Sequence, residues 1–201
     1  MPPSTVVFDL GGVLIDWDPR RAYRQMGGAE DEIERFLDHV ATSAWNHQFD
    51  AGRPFADGIA ERTAQFPEHA EWLEAWWSRW PDMLVGARED TVAVLAELRG
   101  RGGPLYALTN WSAETFPIAR ERFDFLGWFD GVVVSGEVGV AKPDAEIFGH
   151  LERDFGVRPD DAVFIDDVAE NVEAARALGF HGVHYRGAAP LRAELARLGL
   201  L

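Results

Sequence analysis

The chain has 201 residues, of which 47% are hydrophobic and 26% charged, and its formal net charge at pH 7 is −15. This size and composition are typical of one globular core with an insertion, and they exclude a disordered or fibrous protein. The sequence contains no cysteine, which excludes disulfides, thiolate metal sites and a cysteine nucleophile.

The strongly negative charge also limits the possible partners. Sequence-independent binding of nucleic acid requires clustered basic residues, so we expect no nucleic-acid partner. A bound divalent cation would supply the local positive charge that an anionic substrate needs. The apolar runs are shorter than a membrane span, and no basic residue precedes the first of them. We therefore expect a cytoplasmic monomer or homodimer without a membrane partner.

Five short apolar runs predict β-strands, and helical spacing separates the later ones. The predicted strands are residues 5–10, 104–109, 131–135, 162–165 and 181–185, and the predicted helices between them are 88–101, 145–155 and 170–178. Alternating strands and helices predict an α/β fold with a parallel sheet and helices on both of its faces. Such sheets bind ligands beyond the carboxyl ends of their strands.

Residues 16–84 interrupt this alternation, because they show helical patterns and no strand pattern. Trp72, Trp76 and Trp80 recur at every fourth position, with Trp77 alongside, so one helix is expected to present them on one face. Such a stripe favours packing in the insertion's own core over an aromatic wall against a substrate. The helical patterns are residues 31–40, 55–66 and 68–80.

Polar residues follow four of the predicted strands. Each cluster alone is explained equally well as a helix cap or a turn. Together they are more informative, because the carboxyl ends of parallel strands meet at one edge of the sheet. The clusters are Asp9, Thr109 with Asn110, Lys142, and Asp166 with Asp167.

The segments VVFDLGGVLID, LYALTNWS, VAKPDAEIF and VFIDDVAENVEAARALG resemble the four ordered motifs of the haloacid dehalogenase-like (HAD) superfamily. They extend from residue 6 to residue 179. The helical insertion is similar to a C1 cap. The residues of the four motifs resemble those of a phosphatase branch that includes sugar-1-phosphate phosphatases. The resemblance implies a Rossmann-like three-layer α/β/α core, residues 1–15 and 85–201, with an all-helical cap inserted at residues 16–84.

The resemblance also implies the hydrolysis of a small phosphorylated metabolite. Asp9 would attack phosphorus and form an aspartyl-phosphate, a known use of a carboxylate nucleophile. Asp9, Asp166, Asp167 and the backbone carbonyl of Gly11 would bind Mg²⁺, which prefers such oxygen ligands. The cation would offset the charge of the transferring group.

Three further residues would bind the phosphate. The hydroxyl of Thr109 and the backbone N–H of Asn110 would donate to phosphoryl oxygens, and Lys142 would add a positive charge. Composition supports the last assignment, because Lys142 is the single lysine among 19 basic residues. At this motif position a compact ammonium, which acts as a point charge, suits the site better than a planar guanidinium.

The sequence departs from the family at Gly11, where most of these phosphatases carry a second aspartate that transfers a proton. Three interpretations follow: a phosphatase with a weak or substitute acid, a metal-independent 2-haloacid dehalogenase, or a phosphate-binding protein without catalysis. The adjacent Asp166 and Asp167 favour a metal enzyme, because two carboxylates without a cation repel each other. A missing acid also predicts rates that depend steeply on the leaving group.

Asp16, Asp18 and His47 are the candidates for a substitute acid. An isolated histidine is more often structural, so a role for His47 at the substrate is the less favoured interpretation. Three arginines in the insertion fit a solvated helix face better than a phosphate site, namely Arg20, Arg21 and Arg24.

Overall fold

The computed structural model describes residues 3–201. The first half contains β1 (Thr5–Phe8), β2 (Ile15–Trp17), α1 (Arg20–Gln25), α2 (Glu30–His39), α3 (Ser43–Asp50), α4 (Phe55–Gln65), α5 (Ala70–Ser78), α6 (Trp80–Met83), β3 (Leu84–Ala87) and α7 (Glu89–Arg101). The second half contains β4 (Leu105–Thr109), α8 (Phe116–Arg122), β5 (Gly131–Val134), α9 (Ser135–Val138), α10 (Ala145–Phe155), β6 (Ala162–Asp166), α11 (Ala169–Ala177), β7 (His181–His184) and α12 (Ala188–Arg197).

The five predicted strands form one parallel sheet in the order β5-β4-β1-β6-β7. β1 lies in the middle, where Val6 pairs with Leu105 on one side and Val163 on the other. Val6 packs into the larger hydrophobic cluster and Val7 into a second one on the opposite face. Layers of apolar side chains therefore cover both faces, and the predicted α/β fold is confirmed. Within residues 3–201 no helix has both the length and the apolarity to cross a membrane.

The insertion differs from its prediction at both ends. β2 and β3 pair antiparallel, with Ile15 opposite Ala87 and Trp17 opposite Leu84. The prediction that residues 16–84 contain no strand is therefore wrong at these positions. Strands of three and four residues are too short to show a period of two in the sequence. Between them lie the helices α1 to α6 of the predicted helical cap.

The single helix predicted over residues 68–80 is also divided. A 3₁₀ turn at Pro67–His69 precedes α5, which ends at Ser78, and Trp80 begins a new helix. Pro81 accounts for this break, because proline has no N–H to donate within a continuing helix but is tolerated in a first turn. Trp80 consequently does not share one helix face with the tryptophans of α5.

The tryptophans of α5 pack inside the insertion, as the sequence favoured. The ring of Trp72 stacks on Tyr23 with centroids 4.9 Å apart, and that of Trp76 meets Trp45 edge-on at 5.4 Å. Trp80 instead contacts Trp111, on the loop after β4, at 5.6 Å. It therefore packs between the insertion and the core and not in the insertion's own core, where the sequence predicted it.

Candidate active site

Asp9 is placed by the central strand and by the tight turn that follows it. Its backbone N–H donates to the carbonyl of Ile165 at 2.8 Å, which extends the pairing of β1 with β6 by one residue. In the turn, the N–H of Gly12 donates to the carbonyl of Ile15 at 2.9 Å. Gly12 has a φ of 72°, and a Cβ built on it would lie 2.1 Å from Oδ2 of Asp167. The turn thus requires glycine on two grounds.

Three carboxylates meet at the carboxyl ends of β1 and β6. Oxygen atoms of Asp9, Asp166 and Asp167 all lie within 4.8 Å of one another. Asp9 and Asp166 are buried, whereas Asp167 is exposed. A group of carboxylate oxygens with one exposed member fits a hard divalent cation that keeps water ligands. The structure thus brings together the side chains that the resemblance assigned to Mg²⁺, beside the turn that contains Gly11.

Lys142 lies at the centre of the same edge and is only 1% exposed. Its Nζ donates to the carbonyl of Leu108 and to Oδ2 of Asp166, both at 2.8 Å, and lies 3.0 Å from Oδ1 of Asp9. The ammonium therefore forms two hydrogen bonds and an ion pair with Asp9. The lone lysine therefore connects the carboxylates of two strands to the end of a third.

The loop that carries Lys142 is fixed by Asn110. The amide of Asn110 donates to the backbone carbonyl of Lys142 at 2.9 Å and accepts from its backbone N–H at 2.8 Å. The family resemblance implied a role only for the backbone N–H of Asn110, whereas its side chain has this separate positioning role. Beside it, Oγ1 of Thr109 is buried without a hydrogen-bond partner within residues 3–201. A buried hydroxyl with no partner suits an incoming oxygen ligand.

Asn171, in the first turn of α11, was not identified as a site residue from the sequence. Its Nδ2 donates to both oxygens of Asp166, at 3.0 and 3.2 Å, and the N–H of Val168 donates to Oδ1 at 2.8 Å. These donors and Lys142 fix the orientation of Asp166. One feature of the sequence could have indicated Asn171: it is a polar residue on the inner side of an otherwise apolar helical pattern, five residues after Asp166.

Burial and charge shift the titration of this cluster. Burial, with a smaller contribution from the charges of Asp166 and Asp167, raises the pKa of Asp9 to about 7 against the attraction of Lys142. Burial lowers the pKa of Lys142, but Asp9 and Asp166 more than offset this, so its pKa is raised overall. The lysine thus stays charged among three carboxylates. The resulting excess of negative charge is what a divalent cation would neutralise.

A cavity of about 220 Å³ opens beside this cluster, between the core and the insertion. Gly11 and Asn110 form its inner end. Four aromatic and four polar side chains supply the remaining wall. The aromatic members are Trp17, Phe55, Trp80 and Trp111, and the polar ones are Asn46, Asp50, Ser112 and Thr115.

The three candidates for a substitute acid lie elsewhere. Asp16 pairs with Arg88 at 2.7 Å on the β2–β3 ribbon. Asp18 accepts from the backbone of Arg20 at 3.1 Å. His47 is exposed and lines a separate shallow depression on the outer side of the Lys142–Pro143 loop.

The arginines of α1 form hydrogen bonds at the protein surface. Arg20 binds Glu34 through two hydrogen bonds, and Arg24 binds Glu30 in the same way. The guanidinium of Arg21 donates to the carbonyl of Val85. These contacts agree with the interpretation of a solvated helix face.

With this geometry in view, comparison with known proteins decides the family. The chain matches the model of haloacid dehalogenase-like hydrolases over residues 3–179. It belongs to this family. This HAD hydrolase is 28% identical over 196 residues to the sesquiterpene phosphatase astK of Aspergillus oryzae, which covers 97% of this chain and 96% of the relative.

Two further comparisons concern a bacterial relative and a fold neighbour. A D-ribitol-5-phosphate phosphatase of Bacteroides thetaiotaomicron is 24% identical over 202 residues, or 96% of each chain. A wild-type HAD family enzyme from the same organism, solved in complex with magnesium and inorganic phosphate, superposes with a TM-score of 0.68. It is 24% identical and covers 92% of this chain and 94% of its own.

The two adjacent glycines of the first turn make a matched pair of variants. Gly12→Ala places a methyl group in the left-handed region and against Asp167, so the free energy of unfolding should fall by about 1–3 kcal/mol. Gly11→Ala points its methyl group into open space and should change stability by less than about 0.5 kcal/mol. Urea unfolding of both variants measures the difference, and equal losses would contradict the described turn.

Proposed function

We propose that the protein is a Mg²⁺-dependent phosphatase that hydrolyses small phosphorylated metabolites through an aspartyl-phosphate on Asp9. The observation that supports this most directly is the convergence of Asp9, Lys142 and the orphan hydroxyl of Thr109 on one edge of the sheet. A nucleophile, a fixed positive charge and a free hydrogen-bond donor are the groups that phosphoryl transfer needs.

Each residue has a distinct part in this proposal. An oxygen of Asp9 attacks phosphorus, and Lys142 holds that carboxylate in place while its charge offsets the negative charge of the phosphoryl group. The hydroxyl of Thr109 and the backbone N–H of Asn110 donate to phosphoryl oxygens. Mg²⁺, when bound by Asp9, Asp166, Asp167 and the carbonyl of Gly11, supplies the main neutralising charge.

The carboxylate cluster and the relatives both favour this function over a metal-independent dehalogenase or a binding protein without catalysis. Asp166 and Asp167 place two carboxylates beside Asp9, and this arrangement is costly unless a cation is bound. The relatives named above as phosphatases span nearly the whole chain. A magnesium and phosphate complex of a fold neighbour agrees with the same cofactor.

The cavity supports a substrate whose leaving group is mainly apolar. Its walls are rich in aromatic side chains, which bind apolar groups through large contact areas. Four polar side chains on the same walls, those of Asn46, Asp50, Ser112 and Thr115, leave room for a few polar contacts with the substrate. A sugar phosphate, as the resemblance implied, would leave many hydroxyls facing aromatic surface. A terpenoid or aryl-alkyl phosphate fits better.

The metal and the nucleophile are tested together. Wild-type protein should hydrolyse p-nitrophenyl phosphate with Mg²⁺ and lose this activity in excess chelator, because the carboxylate cluster then lacks its compensating charge. Asp9→Asn should abolish turnover, since the amide is a poor nucleophile. Phosphate release measures both. Activity that survives chelation, or halide release from 2-haloacids in chelator, would contradict the proposal.

The apolar leaving group is tested with two primary phosphates of similar reactivity, 2-phenylethyl phosphate and glycerol 3-phosphate. Wild-type kcat/KM should favour the first. Trp17→Ala should lower kcat/KM for 2-phenylethyl phosphate about tenfold, or ~1.4 kcal/mol, because it removes apolar contact area. The same variant should leave glycerol 3-phosphate nearly unchanged.

Trp77→Ala is the matched control, because Trp77 is 37% exposed against 36% for Trp17 and is not part of the cavity wall. It should affect neither substrate by more than about twofold, or ~0.4 kcal/mol. Equal losses on both phosphates in Trp17→Ala, or a wild-type preference for glycerol 3-phosphate, would exclude the apolar assignment.

A further inference from the structure

Gly11 leaves the phosphatase without the carboxyl group that would ordinarily protonate the leaving oxygen. The position itself is open, since a Cβ on Gly11 would meet no atom within 4 Å. The cavity beside Gly11 nevertheless contains one carboxyl group, that of Asp50, contributed by the last residue of α3 in the insertion.

We propose that Asp50 is the proton donor and acceptor of the reaction, in place of the missing carboxyl at position 11. This inference rests on the proposed phosphatase function. It assigns a catalytic residue to the cap, whereas the other reacting groups belong to the core.

The carboxyl of Asp50 has a fixed orientation. Nε1 of Trp76, which can only donate, donates to Oδ1 of Asn46 at 3.2 Å. The amide nitrogen of Asn46 must then face the other way, where it donates to Oδ2 of Asp50 at 3.3 Å. Oδ2 is thereby an acceptor, and Oδ1 remains the oxygen that can hold a proton for the substrate.

The turn after Asp50 is held against the core by close backbone contact. Gly52 has a φ of 94°, and a Cβ on it would lie 3.2 Å from the carbonyl oxygen of Gly136. Gly136 in turn packs directly on the loop after β4, where a Cβ would lie 2.8 Å from the carbonyl oxygen of Trp111. The insertion therefore presents Asp50 from a turn that contacts Gly136, and Gly136 in turn packs on a loop that lines the cavity.

The surroundings of Asp50 also favour a carboxyl that can hold a proton near neutral pH. Burial raises its pKa to about 7, although the positive charge of Lys142 acts in the opposite direction. A group that titrates near the working pH is suited to both donating and accepting a proton.

The two half-reactions balance with this one residue. An oxygen of Asp9 bonds to phosphorus, the bond from phosphorus to the leaving oxygen breaks, and the proton of Asp50 passes to that oxygen to give the alcohol. Water then attacks the aspartyl-phosphate and gives its proton to Asp50, while the bond between phosphorus and Asp9 breaks. Phosphate leaves, and both carboxyl groups return to their starting states.

The test compares Asp50→Asn with wild type on p-nitrophenyl, phenyl and 2-phenylethyl phosphate, whose leaving groups are progressively less acidic. We expect kcat/KM to vary little along the series for wild type. The variant should lose ~10²–10⁴-fold on 2-phenylethyl phosphate but less than about tenfold on p-nitrophenyl phosphate, because nitrophenolate leaves without a proton. With the proton acceptor gone, p-nitrophenol should appear in a burst before the steady state.

Two further variants separate chemistry from structure. Asp38→Asn, an exposed carboxylate on α2, should behave as wild type on every ester. Gly11→Asp in the Asp50→Asn background should restore activity on 2-phenylethyl phosphate, because a carboxyl fits at position 11. An equal loss on all esters, with no burst and no rescue, would show a structural role and overturn the assignment. Wild type that hydrolyses no phosphate ester would overturn the phosphatase proposal and this one together.

Discussion

The arrangement at the sheet edge depends on one buried ammonium group. Lys142 is almost completely inaccessible, and its Nζ hydrogen-bonds to Leu108 and Asp166 and forms an ion pair with Asp9, at the carboxyl ends of three neighbouring strands. Burial of an unpaired charge is costly, so the lysine and the carboxylates require each other. Removal of the lysine would leave buried carboxylates without a partner. The same interaction orients Asp9, the proposed nucleophile, and keeps a positive charge beside it.

The core was predictable from the sequence because it depends on local patterns. Buried parallel strands appear in the sequence as short apolar runs. A polar residue that follows such a run lies at the edge of the sheet where the carboxyl ends of the strands meet. Asp9, Thr109 and Asp166 could therefore be placed together from sequence alone. The side-chain partners could not, because the bond from Asn171 to Asp166 depends on how a helix packs on the sheet.

The insertion was less predictable for a physical reason. Its helices show which faces are apolar, but the sequence does not fix how they cross one another or how they seat on the core. Trp80 illustrates this, since a proline divides the predicted helix and moves the indole from the insertion's interior to the cavity. Asp50 was missed for the same reason, because no motif distinguishes it from the other acidic residues of the insertion.

The core and the insertion contribute different groups to the proposed reaction. The core supplies groups for the phosphoryl end of any substrate, whereas the insertion supplies Asp50 and most of the aromatic wall for the leaving group. A low-polarity wall has two effects, because it favours an apolar leaving group and also raises the pKa of a carboxyl placed against it. We therefore expect substrate preference and proton transfer to be coupled in this enzyme.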